Sequence, residues 1–555
     1  MAKKRPSKIL KKSTPRRRGG KPPATSRPRS AKRRAAPVAG RIETAERTPN
    51  ARVMGNQSLA TVPTTGPLIG TDKPKHVGTA ILGAGIAGMS AALHLKKDYA
   101  IFEQAERIGG LCCTENFGGF LFDRSIHILY TKQPYAKKFI TGLLGSNFSL
   151  RPKYSYIHSH GVYTAYPYQS NTFGLPHDVV VRNLMGLIEA THTKPDREPR
   201  NFKEWAYATF GAGITEEFFL PFNYKVWAID QEEMSYDWIA DRVLTPPIRT
   251  AIEGAIAPSK GDYGPNAKFW YPKKGGMESL PRSMGAHLNG GSVHTFTRVK
   301  TIHIAKHMLE FEDGSTCRYD SLISTAPISR LAQLADDVPA EVQAAVGKLK
   351  WNTVYTVNIG LQIPNLTPMH WAYYPEPSLI FHRLSWPKNF APSMAPPNCS
   401  SVAAEISVSR WKDVGPTDPK TLVKKTIEGL VRIGLITSRQ ASRINLEHCG
   451  VVRLEPAYVI YTWDHRSATK VIHDWLESHD IYACGRFGDF EYLNMDHSIL
   501  SGKRAAERLM QRELNAFPLK GVDEKALERW IAADFQVGVA HTDAAIDAKL
   551  KAQGA

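Results

Sequence analysis

The chain has 555 residues, 42% hydrophobic and 10% aromatic, which suits a soluble globular protein of two to four domains. No apolar run reaches the roughly 18 residues of a membrane-spanning helix, and the opening MAKKRPSKIL lacks the apolar stretch of a secretory signal. The net charge of +20 is uneven: residues 1–50 hold 17 Lys/Arg against two acidic residues, a surplus of 15 that leaves only 5 for the rest.

In chain order, residues 1–74 read as a disordered basic arm, too poor in apolar residues to fold. A solvated extension competes with a polyanion-binding arm, since clustered Lys/Arg release counterions from nucleic acid or anionic lipid. A transit peptide fits worse, for want of an apolar stripe. The six cysteines (Cys112, Cys113, Cys317, Cys399, Cys449, Cys484) show no CxxC spacing, which argues against a zinc site or disulfide framework and suits a reducing cytoplasm.

At 77–88, VGTAILGAGIAG predicts a strand, the turn Gly83-x-Gly85-x-x-Gly88 and a helix; YAIFE predicts a second strand ending at Glu103. Such a βαβ unit binds a dinucleotide: the glycines let backbone N–H groups approach a pyrophosphate at a helix N-terminus, and the acid holds a ribose hydroxyl. After Gln104 comes Arg107-x-Gly109-Gly110-Leu111, which resembles the phosphate-binding extension of amine-oxidase-like FAD flavoproteins. YDSLISTAPISRL (319–331) and GRFGDFEYLNMDHSILSGKRAAERL (485–509) resemble the closing strands and final helix of that fold. A helix beginning near Asp496 would aim its N-terminal dipole at the flavin C2 carbonyl. The resemblance implies FAD, bound by Gly83, Gly85, Ile86, Ala87, Gly88, Glu103, Gln104, Arg107, Gly110, Leu111, Val299, Gly485, Arg486, Asn494, Met495 and Ser498.

Between these pieces lies FFLPFNYKVWAI (218–229), whose aromatics fit a core helix or a wall that grips a flat ligand. Lys225 is hard to leave as core, because a buried ammonium needs a partner. Together with AYPYQSN (165–171), FWYPKKGG (269–276) and YYPEPSLIFHR (373–383), it resembles the UDP-galactopyranose mutases over about residues 77–510. That resemblance implies an α/β architecture: a Rossmann-type FAD domain with an inserted helical domain and a six-stranded antiparallel sheet, the substrate cleft lying between them. The expected segments are 75–131, 263–345 and 479–514 for the FAD domain, 132–262 for the helical insert, 346–478 for the sheet and 515–555 for a helical extension. In that family, reduced flavin N5 displaces the nucleotide diphosphate from the sugar, and the adduct permits pyranose–furanose ring contraction without net electron transfer. A role in surface polysaccharide assembly follows, with a nucleotide-diphosphate sugar as partner; a homo-oligomer is compatible with it.

Carried over by resemblance, catalytic roles fall to Arg383, His127 and Asn494. Substrate contacts fall to Gln169, Asn223, Lys225, Trp227, Tyr373, Arg383, Tyr458 and Tyr492. An arginine among phenols suits a diphosphate. No metal site is expected. Three departures from the family pattern stand out. Leu220 occupies the slot of a second diphosphate arginine, at an expected loss of about 1.5–3 kcal/mol. Ser125-Ile126-His127 replaces a Gly-Gly-His loop and should stiffen it, and Phe390 replaces a tyrosine. The alternative function is an FAD-dependent oxidoreductase of the amine-oxidase or protoporphyrinogen-oxidase type; a third is a polyanion-binding protein with a vestigial flavin domain.

Overall fold

The computed structural model describes residues 69–516, save 71, 194, 240–242 and 259–267. The expectations for most of the basic arm and for the C-terminal extension lie outside the described residues.

A continuous apolar run, HVGTAIL, forms strand His76–Leu82, buried beyond its first residue as a central parallel strand must be. It pairs in parallel with Tyr99–Phe102 on one side and Thr316–Ser324 on the other. The sheet is extended by Val293–His294 beside Tyr99–Phe102 and by Ile481–Ala483 along the last three residues of Thr316–Ser324. An antiparallel hairpin, Val299–His303 with Met308–Phe311, continues the edge. Helix Ile86–His94 packs on this sheet against the long final helix Met495–Ala516. Their contact is very close: a Cβ on Gly502 would lie 2.1 Å from the Ala87 carbonyl oxygen, and Ser90 Oγ donates to the Ile499 carbonyl at 2.7 Å.

The second sheet also has seven strands, in the order Cys449–Leu454, Thr353–Leu361, Ser400–Val408, Arg383–Ser385, Trp371–Tyr373, Ser155–Ser159, Val162–Ala165. The expectation was six antiparallel strands. The sheet is antiparallel except where Trp371–Tyr373 meets Ser155–Ser159 in parallel, and the added hairpin 155–165 comes from the span expected to be mainly helical.

Helices His177–His192 and Phe202–Ile214 form the helical layer with Leu220–Trp227 and Ile248–Ile256. The first two cross closely because glycines line the contact: a Cβ on Gly211, itself at φ +71°, would sit 2.0 Å from the Gly186 oxygen. A wide turn over Thr215–Phe219 redirects the chain into Leu220–Trp227. Phe218 and Phe219 are buried there with Tyr168 and Phe210, so the first part of FFLPFNYKVWAI is core. Among the described residues no helix is long and apolar enough to cross a membrane, and no cluster of His, Cys, Asp and Glu could hold a metal ion.

Candidate active site

A cavity of about 1060 Å³ runs from the glycine turn of the first sheet to the face of the second. Its first end is made by backbone. Gly83 turns at φ +97°, where a Cβ would meet Thr325 Oγ1 at 2.2 Å. Gly85 caps helix Ile86–His94 without a side-chain hydrogen bond, so the first N–H groups of the helix are left for a ligand. Gly110, at φ +58°, faces Gly85 so closely that a Cβ there would lie 3.2 Å from the Gly85 Cα. Glu103 accepts from Ala84 N and Ala105 N, both at 2.8 Å. Burial raises its pKa, and these backbone donors oppose the rise.

The first turn of the final helix closes this end: the helix begins at Met495, and residues 493–498 line the cavity. A further stretch of wall is Arg124–Ile128 with Tyr130. Arg124 donates to the Gly110 carbonyl at 3.1 Å and pairs with Glu115 at 2.7 Å. Burial presses the His127 pKa down to about 4, so the ring is neutral. Its Nδ1 lies 3.3 Å from the Ser125 carbonyl, which can only accept, so Nδ1 carries the proton and Nε2 keeps its lone pair.

Side chains make the other end. Tyr458 and Tyr492 lie parallel, ring centroids 5.6 Å apart, with the Trp227 edge against both. The Arg486 guanidinium sits 4.4 Å from the Tyr492 ring and donates to the carbonyls of Leu493 and Ala457. Arg383 Nη2 binds Glu405 at 2.5 Å and reaches the Tyr458 hydroxyl at 3.5 Å. Burial alone would lower the Arg383 pKa; Glu405, Tyr458 and Tyr373 together more than reverse that and hold it well above the ordinary value. Among the described residues, Nε of Arg383 and Nε of Arg486 have no hydrogen-bond partner. Tyr373, opposite Arg383 in register, packs against Tyr166 and Phe222.

This cavity brings together most of the expected residues. Gly83, Gly85, Ile86, Ala87, Glu103, Gln104, Gly110, Leu111, Val299, Gly485, Arg486, Asn494, Met495 and Ser498, all expected at the cofactor, line it. His127, Asn223, Trp227, Tyr373, Arg383, Tyr458 and Tyr492 line it as well. Asn223 is partly committed, since its amide bridges Phe219 O and Trp227 Nε1.

Four expected contacts are corrected. Arg107 does not line the cavity, because Glu115 and Glu278 bind its guanidinium at 2.8 and 3.1 Å. Gly88 serves packing: a Cβ there would sit 2.0 Å from the Gly83 oxygen. Gln169 turns to the Leu244 carbonyl at 2.6 Å. Lys225 is buried away from the cavity, donating to the carbonyls of Tyr374 and Glu376 at 2.7 and 2.9 Å, and burial lowers its pKa to about 7. Leu220 and Phe390 also lie off the wall, so neither departure thins it. The third departure is on the wall: Ser125 stands at φ +63°, a conformation glycine adopts without cost.

Sequence reasoning missed Arg124, Lys153, Tyr166, Trp238 and Trp371, all on the wall. Tyr166 and Trp371 stood inside or beside quoted motifs; Lys153 had no signal.

The sequence profile of flavin-containing amine oxidoreductases matches residues 86–510. The chain belongs to this family. The chain superposes on reduced UDP-galactopyranose mutase with a TM-score of 0.74 at 25% identity, covering 78% of this chain and 96% of that one. An Exiguobacterium sp. 255-15 protein provisionally assigned as a protoporphyrinogen oxidase follows at 0.61 and 16%, covering 79% and 99%. Cyclohexylamine oxidase from Brevibacterium oxydans IH-35A gives 0.57 and 14%, covering 79% and 99%. The last two share the fold. A flavin is thus the cofactor of this chain, and the residues present fit one: two glycine turns abut at one wall, two helix N-termini border the space beside them, and Glu103 lines it.

Proposed function

We propose that the chain is an FAD-dependent enzyme of the UDP-galactopyranose mutase type, acting on a nucleotide-activated sugar in surface polysaccharide assembly. FAD is favoured over a mononucleotide because the wall carries Gly83, Gly85 and Glu103 of the dinucleotide fingerprint, with Gly88 packed behind them, as well as the helix N-terminus at Met495. The observation that carries the substrate reading is the cluster of Arg383, Arg486, Tyr373, Tyr458 and Tyr492 on one cavity wall. Two guanidiniums repel a cationic amine and attract an anion, and the phenols add neutral donors to its oxygens.

Reduced flavin, when bound, supplies the nucleophile of such a reaction. The chain supplies the setting. Arg383 and the tyrosines hold the diphosphate, keeping the leaving group's charge matched as it develops. His127, neutral with a free Nε2 lone pair, accepts a hydrogen bond from a sugar hydroxyl. Phe222, Trp227 and Tyr166 exclude water from the same wall.

The test is to incubate the reduced protein with a panel of nucleotide sugars, trap with cyanoborohydride, and weigh the flavin for an added sugar. A trapped sugar supports the reading. No added mass together with no nucleotide binding in either redox state would sink it.

A second reading, a flavin oxidoreductase of the amine-oxidase or protoporphyrinogen-oxidase type, is favoured by one observation: Glu405 already neutralises Arg383, which leaves less charge for a diphosphate. Oxygen uptake on adding an amine or porphyrinogen would promote it.

A further inference from the structure

Glu405 is not part of the cavity wall, and its side chain is 1% exposed. It sits in strand Ser400–Val408, in the otherwise uncharged run SSVAAEISV. A carboxylate so placed stays ionised only if its oxygens are matched. Here they are matched by two separate walls of the cavity. Oε2 accepts from Arg383 Nη2 at 2.5 Å, across an antiparallel register in which the two residues face each other. Oε1 accepts from the backbone N–H of Ile126 at 3.2 Å. His382 Nε2 stands 3.6 Å from Oε2, and the ring is fully enclosed.

The Ile126 contact falls at a strained place. Ser125, just before it, holds a left-handed conformation that is unfavourable for a non-glycine residue and persists only where the surroundings impose it. His127, just after it, presents its ring to the cavity. The next wall residue back along the chain, Arg124, binds the Gly110 carbonyl of the second glycine turn.

We propose that Glu405 is a positioning residue: its two oxygens fix the Arg383 guanidinium and the Ser125–His127 segment relative to one another, so that the anion-facing wall and the dinucleotide-side wall move together. Displacing Arg383 toward a bound anion pulls on the carboxylate, and through Oε1 on the segment that carries His127. The identity of the anion rests on the mutase reading; the linkage between the walls does not. An ion pair serving stability alone would leave the flavin's surroundings untouched.

The experiment uses the full-length, flavin-loaded protein and its Glu405→Gln and Glu405→Asp variants. Three quantities are read: the visible flavin spectrum, its change on adding UDP, and the Kd for UDP. Glu405→Gln is expected to raise the Kd for UDP about tenfold, to displace the flavin band, and to abolish the spectral response to UDP. Glu405→Asp keeps the charge but is one methylene too short to reach both partners, so it too should shift the flavin band. An Asp variant identical to wild type in all three readouts overturns the proposal, because charge alone would then suffice. A Gln variant that melts earlier while keeping the wild-type spectrum and Kd overturns it equally. Should Glu405→Gln fail to fold or to hold flavin, the Asp variant decides. If the wild-type protein binds no UDP, the mutase reading fails and the flavin band of the Asp variant alone decides on Glu405.

Discussion

The two ends of the cavity are built in different ways. The glycine-turn end is made of backbone: glycine turns, helix N-termini and a carboxylate tied to two N–H groups, all from a few contiguous stretches. The arginine–tyrosine end is made of side chains from separate strands and loops, held by buried polar pairs and ring contacts such as Arg383–Glu405 and Tyr458–Tyr492. Backbone sites fail when space is filled. Side-chain sites fail when a partner is removed or a charge state changes.

The largest effect is expected at the backbone end. Gly88→Val would place atoms 2.0 Å from the Gly83 carbonyl oxygen, a backbone atom that cannot swing aside, with the Thr325 methyl also within 3.4 Å. The turn cannot open without losing its fit, so the variant should purify without flavin or fail to fold; the flavin-to-protein absorbance ratio and a thermal melt report it. A yellow, stable Gly88→Val would break the contrast at its root.

Next comes the side-chain end. Arg383→Ala leaves Glu405 buried without its charge partner, and breaking a buried pair from one side costs about 3–5 kcal/mol. Nucleotide binding should fall as well, by about 2–4 kcal/mol. Arg383→Met combined with Glu405→Gln removes both charges, so denaturant unfolding should find the double variant more stable than Arg383→Ala.

Acid should act on the second sheet through its histidines. His370 and His382 are buried, and burial presses both pKa values down to about 4. Between pH 6.5 and 4 the unfolded chain binds more protons than the folded one, so stability falls as pH drops through that window. The loss should be about 1–3 kcal/mol per histidine, read as unfolding free energy against pH. Lys225 acts elsewhere: with a folded pKa of about 7, it adds stability as pH rises from 7 toward its unfolded value. A flat profile from pH 4 to 6.5 would show that the histidines titrate normally.

The smallest effect sharpens the contrast. Leu220 is half-buried and off the cavity wall, so Leu220→Arg should change UDP affinity by less than about 0.5 kcal/mol. A clear gain in affinity would place residue 220 at the substrate after all.

The same contrast explains what could be read from sequence. Gly83, Gly85, Gly88 and Glu103 announce their fold because the spacing of a tight turn is itself the structure. At Arg107 the same logic misled. Adjacency to two glycines suggested a phosphate contact, but two acids, one of them Glu278 far along the chain, hold the guanidinium, and Arg124 takes the wall. Gln169 and Lys225 were read from motifs that preserve residue type but not direction, and each has turned to a backbone carbonyl. Lys153 was illegible because its place depends on strand pairings more than 200 residues apart. Glu405 did leave a signal: one acid in a strand-like run of small and apolar residues has to find a cation.

The close packing of Gly502 on Ala87 bears on how the protein is made. Among the described residues, the helix that carries the glycine turn finds its main helical neighbour only in Met495–Ala516, roughly four hundred residues later in synthesis. Strand Thr316–Ser324 likewise waits for Ile481–Ala483. Pairings this distant form late and slowly. A nascent chain emerging from the ribosome therefore carries a half-built nucleotide pocket with its apolar flank bare, in need of chaperone cover. Flavin loading becomes a step that follows synthesis, and free flavin at that moment governs the yield of folded protein.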